Sequence, residues 1–295
     1  MRVGAEILRT AQSIGARTIF VVGTGRNVGK TTALRAIYEA AWNEGAQVGL
    51  ASVGRDGEAS AQKALPKPRL WLRPRTIFAT ARGLLPASPA AEVLKLSPLR
   101  SPAGGVLYGR TRAGGFFELA GPPTASGVRE VVDELVSRSD VVIVDGAVDR
   151  VAALAGSDGA VVVAGGAAGA ATMHEAVAEI AALVTRLRVA AFDAGVPAIH
   201  IDGALTADAA AALLARGETR QIVVHDPTQI ALSGRAATEA FARLDLRCVR
   251  PLRVVAATVA SIGPERTFEP VHFADAVAAA TLLPTFDVYR GARAA

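Results

Sequence analysis

Apolar residues recur along this chain in two alternating periods. Ile7, Leu8, Ala11 and Ile14 fall at helical spacing and predict a short amphipathic helix over residues 5–14. Ile19 to Val22 is a continuous apolar run, which predicts a buried strand. Ala33, Leu34, Ile37, Tyr38, Ala41 and Trp42 then share one face of a helix, and Gly45 stands where a C′ glycine would end it. Gln47 to Val53 reads as the next strand. Strand, loop, helix and strand make one βαβ unit, whose two strands should be parallel.

Between Gly54 and Pro123 the pattern changes. Prolines cluster and helical periodicity disappears. Short strands fit better over Arg69–Thr80, Glu92–Leu96, Gly105–Thr111 and Gly115–Leu119, with Gly114-Gly115 as a hairpin turn between the last two. Alternation returns afterwards. Val128–Val136 reads as a helix, and Val141–Val144 and Ala160–Ala164 read as strands. Thr172 to Glu175 has the form of a capping box, opening a helix whose face is Met173, Ala176, Val177, Ile180, Leu183, Val184 and Leu187. Ala198–Ile201 and Gln221–Val224 are short strands flanking an alanine-rich helix that closes at Gly217. Arg253–Val259 is a further strand, and a helix lies near Phe273–Ala280. The expected fold class is α/β: a mostly parallel sheet of about seven strands, helices on both faces, and a β-rich insertion at about 59–123. With no Ser/Gly linker and no long charge run, a single domain over 1–295 is expected.

Composition narrows the picture in three ways. The chain has 295 residues and is 51% hydrophobic, enough to bury a large core. It has one cysteine, Cys248, so no intrachain disulfide can form; the reducing cytoplasm is the expected location. The first six residues lack the apolar core of a signal peptide, and the longest uncharged run, Gly159 to Met173, is too short and too rich in Gly and Ala to span a bilayer. No membrane association is therefore expected. The four histidines, His174, His200, His225 and His272, show no metal-ligand spacing.

Charge is unevenly placed. Ala59 to Gly114 carries ten Lys or Arg residues against Glu92 alone, so +9 sits there while the net charge of the chain is +5 and the remainder carries −4. Such a segment is either a solvated insert or a surface that meets an anion: a substrate carboxylate, a small phosphate-bearing ligand, an acidic partner enzyme or nucleic acid. Nucleic acid is disfavoured, because no nucleic-acid motif accompanies the charge and Trp71, Phe78 and Tyr108 are widely spread. A homodimer stays open.

The densest chemistry lies directly after the first strand, in Gly23, Thr24, Gly25, Arg26, Asn27, Val28, Gly29, Lys30, Thr31 and Thr32. Glycines let the backbone turn tightly and approach a ligand closely. Lys30 supplies a point charge for terminal phosphates, Thr31 a hydroxyl for Mg2+, and the following helix aims its first N–H groups at the anion. Val141 to Val144 delivers Asp145 at a strand end, the form of a Walker B strand whose carboxylate holds Mg2+ directly or through water. Asp140 starts that strand and reads as a cap. Beyond the second strand come Arg55, Asp56 and Glu58: either Asp56 is a second magnesium or γ-phosphate contact, with Arg55 as a phosphate or substrate clamp, or the segment is an ordinary polar loop. Asp202 and Asp226 also follow strands, either facing a ligand or capping the next helix. On this reading Lys30, Asp56 and Asp145 are the catalytic candidates, Thr31, Asp56 and Asp145 the metal ligands, and ATP with Mg2+ the cofactor.

The pattern G-T-x-x-x-V-G-K-T resembles the loops of dethiobiotin synthetase and cobyrinic acid synthase, a branch of the P-loop NTPases. The resemblance covers the loop and the strand ending at Asp145. It departs where that family has a K-P motif, here Ser52-Val53 followed by Gly54-Arg55-Asp56, and where it has E-G-A-G-G, here Asp145 to Asp149. Those departures count against dethiobiotin formation itself. The segments G-R-D-G-E, D-G-A-x-x-R from Asp145 to Arg150, and I-D-G-A-L are similar to P-loop proteins that accompany cobalamin-dependent lysine or ornithine aminomutases. That resemblance spans most of the chain and implies an ATP-dependent accessory protein that helps reactivate its partner; an ATP-dependent ligase or kinase for a small molecule is the alternative. No N-K-x-D motif includes any of the four lysines, which favours ATP over GTP, and Gly25 replaces the signature lysine of the partition-type ATPases.

Overall fold

In the computed structural model the described residues are 2–53, 69–85, 90–146, 154 and 157–289. Helix α1 (Arg2–Ser13) precedes strand β1 (Thr18–Gly23), helix α2 (Lys30–Asn43) and strand β2 (Val48–Ser52). Gly45 ends α2 as its sequence position predicts: at φ 81° its N–H donates to the Trp42 carbonyl, while Ala46 N–H reaches back to Ala41. Helices α1 and α2 cross very closely at Gly4, where an added Cβ would lie 1.9 Å from the Ala36 carbonyl oxygen. Only glycine permits that approach.

The segment rich in proline forms β3 (Leu70–Leu72), β4 (Ile77–Ala81), β5 (Ala91–Ser101), β6 (Gly104–Thr111) and β7 (Gly115–Phe117). Two expectations are corrected here. The stretch 69–80 is two strands, because Pro74 and Arg75, the latter at φ 68°, break it. Gly114-Gly115 does not join a hairpin: β7 pairs antiparallel with β3, whereas β6 lies between β4 and β5. Phe117 of β7 stands in register with Leu70 of β3 and is buried, its ring centroid 5.0 Å from that of Phe78.

Helix α3 (Ala125–Val136), β8 (Val141–Asp145), β9 (Ala160–Gly166) and α4 (Met173–Leu187) follow, and later β13 (Arg253–Ala260), α7 (Pro270–Thr281) and β14 (Thr285–Asp287). The main sheet has nine strands in the order β14-β13-β9-β1-β8-β2-β4-β6-β5. The strands from β14 to β4 run parallel, and β6 and β5 close one side antiparallel. The sheet is therefore larger and more mixed than the seven strands expected. Side chains alternate faces along each strand. Phe20, Val22, Val142 and Val144 face α3, α4 and α7, while Ile19, Val21, Val141 and Ile143 face α1 and α2. Covering both faces is what makes these strands continuous apolar runs; each fully buried Val or Ile contributes about 1.5–3 kcal/mol.

The expected strands at 198 and 221 are not in that sheet. Strand β10 (Ala198–His200), helix α5 (Ala207–Ala215), strand β11 (Gln221–Val224), helix α6 (Gly234–Arg243) and strand β12 (Asp245–Cys248) build a separate three-stranded parallel sheet. It has its own core of Val189, Leu205, Ile222, Val224, Ile230, Leu244 and Cys248. The Cys248 thiol is buried, donates to the Val189 carbonyl at 3.2 Å, and is pushed up to about 11 by burial, with the Asp226 carboxylate adding to the effect. Among the described residues no helix is long and apolar enough to cross a membrane.

Candidate functional site

The glycine-rich loop leaves the carboxyl end of β1 in the middle of the main sheet, between β8 and β9. Several contacts fix its shape. Thr24 N–H donates to the Ala164 carbonyl of β9 at 3.0 Å, which ties the loop's start to the neighbouring strand. Val28 is the buried anchor at 2% exposure, whereas Arg26 and Asn27 face solvent, Asn27 with φ 58°. Gly29 is the N-cap of α2 at φ 84°. A Cβ there would stand 2.9 Å from Ala260 Cβ and 3.1 Å from Val288 Cγ2, so both the left-handed backbone and the close wall require glycine. The Lys30 ammonium bends back to the Gly25 carbonyl, closing the loop. Its methylenes cover Gly23, where a Cβ would be 3.0 Å from Cγ and Cδ. Thr31 and Thr32 are half-buried in the first turn of α2.

Asp145 lies beside this loop because β8 is the immediate parallel neighbour of β1. It is also in register with Ser52 of β2, and its carbonyl accepts the Val53 N–H at 2.9 Å. The carboxyl ends of β1, β8 and β2 thus share one edge. In open α/β sheets, that is the edge where ligands bind. The same edge holds a cleft lined by Ala167 to Ala171 after β9 and by Pro264, Glu265 and Arg266 after β13. The cleft adjoins the glycine-rich loop, since a Cβ on Gly166 would meet Val28 Cα at 3.2 Å.

The other predicted site residues divide. Asp140 caps as expected, its carboxylate accepting the Gln47 N–H at 2.8 Å. Asp56, with Arg55 and Glu58, lies outside the described residues, as do Asp149 and Arg150. Asp202 and Asp226 are not brought to the loop. Asp226 is buried and caps a short turn, its carboxylate accepting the Thr228 N–H at 2.9 Å. It stands at the carboxyl edge of the small sheet with Asp202. That edge meets the amino ends of the main strands: Arg250, which follows β12, pairs with Asp158 just before β9 at 3.4 Å. A β9 of seven residues, roughly 23 Å, separates that end from the loop. Asp145 ends one short apolar strand and Asp202 follows another, but those strands belong to different sheets.

The basic segment is partly neutralised within the chain. Arg73 pairs with Glu39, Lys95 with Glu134, and Arg110 and Arg112 with Glu92. Among the described residues of the segment, Arg69, Arg75, Arg82 and Arg100 are exposed and have no ion pair. Arg82 follows β4 directly, on the same edge as the glycine-rich loop; sequence reading had no means of separating it from the paired arginines.

Among the described residues no group of three or more His, Cys, Asp or Glu side chains could hold a metal ion. No protein-family model matches the chain, and neither a curated protein nor a solved structure matches it.

Proposed function

We propose that the chain is a P-loop ATPase of the branch that includes dethiobiotin synthetase, binding ATP with Mg2+ and coupling that binding to a partner enzyme in the manner of an aminomutase reactivase. The observation that carries this reading is the convergence of three features on adjacent parallel strands: the glycine-rich loop after β1, the N-terminus of α2 behind Gly29, and Asp145 at the end of β8. The residues fit the nucleotide. Backbone N–H groups at the start of α2 and the Lys30 ammonium would meet the phosphates, and the Thr31 hydroxyl and Asp145 would hold Mg2+ together with phosphate oxygens. When bound, Mg2+ would supply charge neutralisation between the phosphates. The adjoining cleft beside Ala167 to Ala171 would take the nucleoside end. The unpaired arginines of the basic segment would meet the acidic surface of the partner enzyme.

One observation favours a second reading, an ATP-dependent ligase or kinase. Arg82 is exposed, unpaired and on the loop's own edge, where it could hold a small acidic substrate. The two readings separate by turnover: stimulation of hydrolysis by small carboxylic acids favours the enzyme, and stimulation by a partner protein alone favours the accessory ATPase. The nucleotide assignment itself is tested by Lys30→Ala. Calorimetry should show ATP affinity reduced at least about a hundredfold, from lost charge-assisted bonds, in a chain with unchanged circular dichroism. Undiminished affinity would sink the assignment.

A further inference from the structure

The carboxylate at the end of β14 has no part in the site described above, yet it is buried at 5% exposure close to the glycine-rich loop. Asp287 accepts two backbone N–H groups, from Ser261 at 3.2 Å and from Tyr289 at 2.7 Å. Between those two bonds, Val288 N–H donates to the Val259 carbonyl at 2.9 Å. Residues 287–289 are thereby fastened onto the end of β13. The fastening has a consequence for the loop. Val288 and Ala260 together form the wall against Gly29, with a Cβ on Gly29 falling within 3.1 Å of both. Gly29 is the N-cap of α2, so its position sets where the helix's first N–H groups point.

We infer that Asp287 is a positioning residue for the phosphate-binding loop: its carboxylate holds Val288 and Ala260 against Gly29 and so fixes the N-terminal N–H groups of α2. This rests on reading residues 23–32 as a nucleotide site. A buried carboxylate that accepts backbone N–H groups is a strong and directional fastening, and a packed wall transmits its position because interiors have few voids. Asp287→Asn keeps the shape but replaces one acceptor oxygen with an amide that cannot accept the Ser261 or Tyr289 N–H.

The test is calorimetric titration of the whole chain with ATP–Mg2+ and, separately, with inorganic tripolyphosphate. Asp287→Asn is expected to raise both dissociation constants about tenfold, as the loss of one charge-assisted hydrogen bond would, while the stoichiometry stays that of the unsubstituted chain. A merely structural role would lower the fraction of competent molecules and leave the dissociation constant of the rest unchanged, and that result overturns the inference. Val288→Ala is the second variant, because it leaves the carboxylate and every backbone bond in place and opens only the wall. It should weaken both ligands in the same direction, about threefold; unchanged constants in this folded variant overturn the inference even where Asp287→Asn does not fold. An unsubstituted chain that binds neither ligand removes the nucleotide reading and this inference with it, whereas normal binding with insensitive variants removes the role of Asp287 alone.

Discussion

Val21 stands directly opposite Asp145 in the parallel pair of β1 and β8, and its carbonyl accepts the Gly146 N–H at 2.9 Å. The backbone turn that follows the carboxylate is thus pinned to the strand that delivers the glycine-rich loop. Moving one would move the other.

If Asp145 holds Mg2+, removing its charge should matter only when the metal is there. Asp145→Asn is expected to weaken ATP binding in the presence of Mg2+ about tenfold or more and to leave metal-free binding nearly unchanged. Titrations with Mg2+ and with a chelator check this. Equal losses in both would count against a metal role.

Gly4→Ala should loosen the contact between α1 and α2. The new methyl would lie 1.9 Å from the Ala36 carbonyl oxygen, too close to be absorbed without moving backbone. Since α1 also buries Ile7, Leu8 and Ala11, the expected loss is about 1–3 kcal/mol. Urea unfolding would show it as a lower midpoint; an unchanged midpoint would mean that α1 is held elsewhere.

Thr172 caps α4, its hydroxyl accepting the Glu175 N–H at 3.1 Å. Glu175 reaches back to the Ala171 N–H at 2.6 Å, one residue before the cap. Thr172→Ala should cost about 1 kcal/mol, and Thr172→Ser should recover most of it. Thermal unfolding of the two variants side by side gives the comparison.

Glu134 joins α3 to the edge strand β5, accepting from Lys95 at 2.5 Å and from Arg138 at 2.7 Å. Lys95 first, then Arg138, holds its carboxyl below the ordinary carboxylate range. A depressed folded value means stability that is present above the unfolded value, about 4.3, and is lost as pH falls through the lowered one. The partners are largely exposed, so the contribution is at most about 1 kcal/mol. The unfolding midpoint of the unsubstituted chain should therefore converge with that of Glu134→Gln as the pH falls below about 4. Parallel curves down to acid pH would rule this out.

Local signals read correctly wherever one neighbour decides the outcome. The C′ glycine at Gly45, the Thr172 cap and the apolar strand ending at Asp145 each depend on a few adjacent residues, and each lies where its pattern puts it. Partnership between strands depends on the whole chain, and there a local pattern can mislead: Gly114-Gly115 has the form of a hairpin turn, yet β7 pairs with β3. Ala198–His200 and Ala160–Gly166 are both short apolar runs, yet one joins a three-stranded sheet and the other the centre of nine. Strand β12 carries a weak apolar signal because Asp245 and Arg247 make it half polar, and β14 because Phe286 is its one apolar residue. For the candidate site, the loop and Asp145 could be read from composition at a strand end. Asp287 could not, since nothing in its own neighbourhood shows that it returns to Gly29.

The buried thiol of Cys248 has a practical corollary. It is the chain's one cysteine, and at neutral pH almost none of it is thiolate. A cysteine introduced at an exposed position such as Arg26 or Arg82 would then react with a maleimide dye while the native one stayed silent. Distances between the glycine-rich loop and the basic edge could be followed by fluorescence without first removing a natural residue from the core.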